Sequence, residues 1–409
     1  MPRAPGRVFA DGERDGAEML VAALRAPTVD RDIAESLTHP FHSYPARMHP
    51  ATARVLVDAL ADRRGPVVDP FCGSGTVLVE ARAIRAPAIG VDLNPLAVLV
   101  ARAKTWTMPP KRRLQLREAG HSIAGEALAA GKAARRAAAE PPPMRKPTGF
   151  DPNSRNRRLA SWFAPHVRRE LELIATRLDD LRERDRQLAD VLTACLSAIL
   201  YKVSSRTSDT DGTWVARNIG RGAAARNFAQ RVDLLVAGLG DLAQGSAPPP
   251  EVFELDARRL GEVVPDGSAG AIVTSPPYAG TYDYAEHQRL RFDFLALRHR
   301  DFDDREIGSR RSFEKNVDDA QVRWRDALAD SIGAIGRALA PGCAAALVIG
   351  DSVARNRAIY ALDDLRGVLT DDLVIEAWAS QHRPMLGGAE RRAFGDRPKA
   401  EHVALLRRR

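Results

Sequence analysis

Val67-Val68-Asp69-Pro70-Phe71-Cys72-Gly73-Ser74-Gly75-Thr76 reads as a short apolar strand that passes through an acid into a glycine turn, and the helical pattern of residues 77–85 follows it directly. Strand, glycine turn and helix start in that order let a ligand approach the backbone closely, where free N–H groups and the helix dipole meet it. A second apolar run, Ala88-Ile89-Gly90-Val91-Asp92, ends in another acid 23 positions after Asp69 (92 minus 69). That is near the spacing of about 20 at which a second-strand carboxylate reaches a nucleoside ribose. A lone glycine turn would say little; strand, helix and second acid together predict a parallel α/β sheet with a nucleotide-type site.

Five more strand patterns follow, at 252–256, 271–273, 344–349, 373–379 and 402–406. Helical patterns separate them except between the last two. The expected fold is therefore α/β: a doubly wound, Rossmann-like sheet of seven strands with one late antiparallel element, interrupted by a helical insertion between its second and third strands. The expected organisation is an N-terminal arm (1–40) with a short amphipathic helix around 17–24, a sheet domain built from 41–104 and 250–409, a basic Pro-rich linker (105–150) that starts as a helix, and a helical insertion (151–249). In the insertion Leu171, Ile174, Leu178 and Leu181 recur at helical spacing, as do Leu192, Leu196 and Ile199.

A chain of 409 residues, 44% of them hydrophobic, can bury a large core, and it is long enough for one domain with an insertion or for two. The formal net charge of +8, carried mostly by arginine, suits a polyanionic partner. An Arg- and Ala-rich composition also follows from a GC-rich genome, so charge alone does not decide. Cys72, Cys195 and Cys343 lack metal or disulfide spacing, which fits a reducing cytoplasm and no metal site. No run is apolar enough for a membrane span, and the first fifteen residues are too charged for a signal peptide. The expectation is a cytoplasmic protein.

Three further clusters carry chemistry. Thr274-Ser275-Pro276-Pro277-Tyr278 follows the strand at 271–273, and its prolines end that strand in a rigid, exposed knuckle. Phe41-His42-Ser43-Tyr44-Pro45-Ala46-Arg47 is an aromatic and basic cluster ahead of a helix; it reads as a ligand wall or as a loop with a proline helix start. Between insertion helices, Arg206 and Trp214 with Arg217 and Arg221 beyond could contact phosphates and stack on a base, and a solvated interhelical loop is the competing reading.

The glycine-turn octapeptide at 69–76 paired with Thr274-Ser275-Pro276-Pro277-Tyr278 resembles the S-adenosylmethionine-dependent amino methyltransferases, which methylate exocyclic nitrogens of DNA bases. The resemblance covers about 41–105 and 250–406, and the cluster at 41–47 is similar to the family's N-terminal motif. It implies a methyltransferase-type sheet and S-adenosylmethionine as cofactor. Asp69, Phe71, Gly73 and Gly75 would lie at its methionine end, with Cys72 a small packed residue of the turn and Thr76, Leu93, Tyr44 and Arg47 nearby. Asp92 would hold the ribose and Asp256 the adenine amino group. Thr274, Ser275, Pro276, Pro277 and Tyr278 would then form the catalytic knuckle, with Tyr278 stacking on a flipped base. Ser-Pro-Pro-Tyr is typical of cytosine-N4 enzymes, whereas Asp or Asn at the first position is typical of adenine-N6 enzymes. The reading is a cytosine-N4 DNA methyltransferase; alternatives are adenine N6, an RNA guanine-N2 amino group, or an inactive nucleic-acid-binding protein of the same fold. DNA is the expected partner, RNA is allowed, and a restriction nuclease is a candidate. The insertion departs from the family pattern, and residues 151–240 are the expected DNA contact.

Overall fold

The computed structural model describes residues 6–62, 64–137, 159, 162–205, 217–243, 248–385, 387–395 and 397–409. The chain opens with β1 (Val8–Gly12) and α1 (Arg14–Val29), and the cluster at 41–47 leads into α2 (Pro50–Leu60). Next come β2 (Val67–Asp69), α3 (Thr76–Ala83), β3 (Ala88–Asp92) and α4 (Pro95–Thr105). Four long insertion helices follow: α5 (Pro110–Ala137), α6 (Pro165–Arg182), α7 (Arg186–Ile199) and α8 (Ala223–Leu242). The sheet resumes with β4 (Glu251–Glu254) and β5 (Ala269–Thr274), and short helices α9 (Tyr284–His287), α10 (Arg289–Leu295), α11 (Arg300–Arg305) and α12 (Arg310–Lys315) precede α13 (Val317–Ala338). The chain ends with β6 (Leu339–Gly350), a hairpin of β7 (Ser352–Ala354) and β8 (Arg357–Ile359), α14 (Ala361–Gly367), β9 (Leu373–His382), α15 (Gly388–Phe394) and β10 (Ala400–Arg408).

The main sheet has the order β1-β9-β10-β6-β5-β2-β3-β4. Strands β6, β5, β2, β3 and β4 run parallel, whereas β10 is antiparallel to both β6 and β9. All seven expected strands are present, with the late antiparallel element and the insertion after the second of them. The count is nevertheless eight, because β1 of the N-terminal arm pairs antiparallel with β9. Its sequence, Val-Phe-Ala-Asp-Gly, is mostly exposed and gives no alternating pattern; backbone pairing to a sheet edge makes it a strand. A second difference lies within 105–150, expected mainly as linker. Its α5 runs 28 residues and buries Leu116, Ile123, Ala124 and Ala127 against the other insertion helices, so it belongs to their core. The apolar face, at i, i+7, i+8 and i+11, outweighs the basic composition.

Because the central strands are buried on both faces, their apolar runs are nearly continuous, as Ala269–Thr274 shows. Parallel packing brings the carboxyl ends of β2, β3, β4, β5 and β6 to one edge, where Asp69, Asp92, Asp256, Thr274 and Gly350 gather. Ligands of open α/β sheets bind at that edge. The insertion core is continuous with it: Phe41, Ala103, Leu290 and Phe294 pack among the insertion's buried leucines. Arg291 of α10 is almost fully buried at this junction. It donates to the Ser197 carbonyl on α7 at 3.2 Å and the Ser43 carbonyl at 3.4 Å, and lies 4.6 Å above the Tyr201 ring. One side chain thus ties the insertion, the 41–47 cluster and the segment after the knuckle.

Candidate active site

Two strand-end acids organise the glycine turn. Asp92 accepts from the Gly73 N–H through Oδ2 at 2.8 Å and from the Asn94 N–H through Oδ1 at 2.8 Å, so it pins the turn to the end of β3. Asn94 then caps α4 by accepting from the Leu96 N–H at 2.9 Å, and its amide donates to the Tyr44 hydroxyl at 2.9 Å. Asp69 accepts the Phe71 N–H at 3.2 Å and the Thr274 hydroxyl at 2.7 Å. The two sequence motifs, 205 positions apart, are joined by that one buried hydrogen bond. Neither acid has a cationic partner among these contacts, and burial pushes Asp69 up to about 7 and Asp92 up to about 6.

The turn itself needs glycine at position 75. Its φ is +80°, at the N-cap of α3, and a Cβ there would stand 3.0 Å from the Ala101 Cβ. Close packing of α3 on α4 is the consequence.

Above this edge lies a cleft open to solvent. Its walls include Tyr44, Arg47, Asp69, Phe71, Cys72, Gly73, Thr76, Asp92, Leu93 and Asp256, so ten of the eleven expected cofactor residues meet there. Gly75 is the exception, lying behind the turn. Ser275 and Pro277 of the knuckle reach the same cleft. Asp256 lines it with both carboxylate oxygens held by Arg258, at 2.9 Å and 2.6 Å. Sequence reasoning passed over Ser74, Asn94, Tyr284, Arg305 and Glu306, all on the cleft wall. Ser74 lies inside the glycine turn and Asn94 stands ahead of Pro95 at a helix start, so these two carried a local signal. Glu306 accepts the Tyr284 N–H at 2.5 Å, and burial pushes it up to about 7.

A nucleoside with a charged amino-acid tail fits these walls. The Ser74 and Thr76 hydroxyls are buried on the cleft with no protein partner, as groups awaiting a ligand would be. The Cys72 thiol is buried and pushed well up, so it packs the turn rather than acting as a nucleophile. His42 of the 41–47 cluster is fully buried and bonded to the Ser197 hydroxyl at 2.9 Å, while Tyr44 and Arg47 face the cleft.

The knuckle divides its residues among different tasks. Thr274, grouped from sequence with the catalytic residues, is fully buried, lines neither cavity and serves the Asp69 link. The Pro277 carbonyl accepts the Trp324 indole N–H at 3.0 Å, which fixes the turn on α13. Ser275 donates its hydroxyl to the Val348 carbonyl of β6 at 2.9 Å. Tyr278 packs against Gly350, where a Cβ would stand 2.5 Å from its ring. On this side a second cavity, about 820 Å³ and open to solvent, is lined by Ser275, Pro276, Tyr278, Tyr282, Tyr284, Arg383 and Glu401. It shares Ala46, Arg47, Met48, Ser275 and Tyr284 with the first. Two chambers therefore meet at the knuckle.

Of the expected nucleic-acid contacts, Arg206 and Trp214 lie outside the described residues. Arg217 and Arg221 flank the N-terminus of α8, away from the lining of both cavities. Among the described residues no helix is long and apolar enough to cross a membrane, and no group of three or more His, Cys, Asp or Glu is placed to hold a metal ion.

Comparison with known proteins gives the site a family context. Residues 25–102 match the family model described as DNA methylase. The type II methyltransferase M.MvaI of Kocuria varians is 26% identical over 282 residues, which is 64% of this chain and 59% of that protein. An ATP synthase lysine N-methyltransferase of Rattus norvegicus is 40% identical over 60 residues, 14% of this chain and 28% of that protein. Among solved structures, TrmN from Thermus thermophilus aligns over 88% of this chain and 49% of its own with 12% identity and a TM-score of 0.33. The chain thus spans less than two thirds of the curated relatives it matches. The resemblance drawn from the motifs is borne out: the chain is similar to amino DNA methyltransferases in the region that carries the glycine turn and over its match to the type II enzyme.

Proposed function

We propose that the chain is a site-specific DNA methyltransferase that moves a methyl group from S-adenosylmethionine to the exocyclic N4 amino group of cytosine. When bound, S-adenosylmethionine supplies an electrophilic methyl on its sulfonium. The cleft at the ends of β2 and β3 would hold it, with Asp69 near the methionine amino group, Asp92 toward the ribose, and the Ser74 and Thr76 hydroxyls taking up its polar atoms.

The observation that carries the substrate reading is the state of Ser275. Its hydroxyl donates to the Val348 carbonyl, so Oγ keeps acceptor capacity at the place where the two chambers meet. An exocyclic amine conjugated to its ring is a poor nucleophile. Acceptors aimed at its hydrogens favour the positive charge that develops on nitrogen only during attack, which lowers the barrier rather than tightening ground-state binding. Ser275 Oγ and the Pro276 carbonyl are those acceptors, on a backbone preset by two prolines. The Tyr278 ring, supported from below by Gly350, provides the stacking face for a base taken out of the duplex. Serine in the first polar position of the knuckle, with the resemblance to cytosine-N4 enzymes that it brings, favours cytosine over adenine.

Labelled-methyl transfer to cellular DNA and RNA followed by nucleoside mass spectrometry tests the reading. N4-methylcytosine in DNA is the expected product. N6-methyladenine, or label confined to RNA, would overturn the substrate, and failure to bind S-adenosylmethionine would overturn the enzyme.

A further inference from the structure

We propose that Arg383, held by Glu401, reads the ring edge of the target base and makes the second chamber a cytosine pocket; the inference rests on the cytosine-N4 reading above and deepens it. Arg383 directly follows β9, and Glu401 lies on β10, where it stands in register with Gly350. Gly350 is the residue beneath the Tyr278 ring. Glu401 Oε1 is 3.4 Å from the Tyr278 hydroxyl, and its Oε2 takes the Arg383 guanidinium. A chain of contacts therefore anchors a guanidinium beside the ring on which the base would stack, in the chamber that Ser275 and Pro276 also line.

The chemistry of that position is selective. A guanidinium carries five N–H donors in a planar fork and no acceptor. The bond to Glu401 runs through one terminal nitrogen, and the Arg383 side chain remains 42% exposed, so donors are left for a ligand. Next to its N4 amino group cytosine presents two successive acceptors, N3 and O2. Adenine presents N1 and then a C–H beside its N6 amino group. A base with its amino group at Ser275 would thus satisfy the fork twice if it is cytosine and once if it is adenine, leaving one donor unpaired. The other guanidinium on this wall, Arg47, donates to the His39 carbonyl at 2.7 Å and also lines the first cleft, whereas Arg383 lines the second chamber alone.

Methyl transfer by the full-length chain to DNA from a methylation-deficient host tests this, with products counted as nucleosides and S-adenosylmethionine affinity measured by calorimetry. Arg383→Ala is expected to slow N4-methylcytosine formation by about 5- to 150-fold, the discrimination carried by one bidentate pair, and to lower the ratio of cytosine to adenine product. Arg383→Lys should lose nearly as much although charge is kept. Cofactor affinity should stay within about twofold in both. Wild-type rates and product ratios in the two variants would overturn the assignment while leaving the cytosine reading intact. Loss of cofactor affinity in parallel with activity would also overturn it, by making Arg383 structural. If the wild-type chain makes N6-methyladenine instead, both readings fall together.

Discussion

Asp69 and Asp92 are placed as few carboxylates are: buried at strand ends, hydrogen-bonded by neutral donors, and raised to about 7 and about 6. Their folded-state values lie above the unfolded ones, so the unfolded chain releases these protons first. The stabilising contribution is complete below about pH 4 and is lost as pH rises through the folded values, on the order of 2–4 kcal/mol for Asp69. Asp69→Asn keeps acceptors for Thr274 and Phe71 but cannot ionise. Its melting temperature should therefore fall less than that of the wild type between pH 4 and pH 8; parallel melting curves across that range would show that Asp69 ionises normally. Asp92→Ala is a different case, because it orphans the Gly73 and Asn94 N–H groups. We expect a loss of about 1–3 kcal/mol in thermal or urea unfolding and a fall of tenfold or more in S-adenosylmethionine affinity by calorimetry. Tyr278→Ala should do the reverse, impairing transfer while sparing cofactor affinity.

The end of β6 and the knuckle act as one element. Gly350→Ala places a methyl within 2.5 Å of the Tyr278 ring, and the ring has to tilt. Overpacking of this kind costs about 1–3 kcal/mol. Transfer should drop by more than tenfold with cofactor affinity unchanged, since the three atoms nearest the added methyl all belong to Tyr278; equal losses in both would mean that the whole edge had shifted. This division of labour also shows what the sequence could carry. Strand, glycine turn and acid are local patterns with local causes, so the residues that line the first cleft were legible almost one by one. Thr274 was not, because its inward turn depends on a partner 205 positions away. Arg383 and Glu401 were not either: each is one charge in a strand-end region, and only the pairing of β9, β10 and β6 brings them to Tyr278. β1 escaped for a related reason, as an edge strand defined by the backbone it joins rather than by its own side chains.

At the scale of the molecule the insertion is continuous with the sheet domain, since its core runs through Phe41 and Leu290 and its α7 is tied to Arg291. A rigid helical body fused beside a two-chambered site suits the task of holding a long polyanion while one base is withdrawn. The positive charge of the chain alone would give binding without placement, because phosphate contacts are indifferent to sequence. Placement requires contacts on a body whose position relative to the knuckle is fixed. Arg217 and Arg221, which precede α8, are the described candidates, and the helix dipole adds to the charge of Arg221 beside the N-cap Gly222. If both touch phosphates, replacing them with alanine should reduce the slope of log binding constant against log salt by about 2, at about 0.9 per phosphate contact. Fluorescence anisotropy with duplex DNA between low and moderate salt measures that slope directly. An unchanged slope with weaker binding would assign these arginines to folding of the insertion, and an unchanged slope with unchanged binding would move the DNA path to another face.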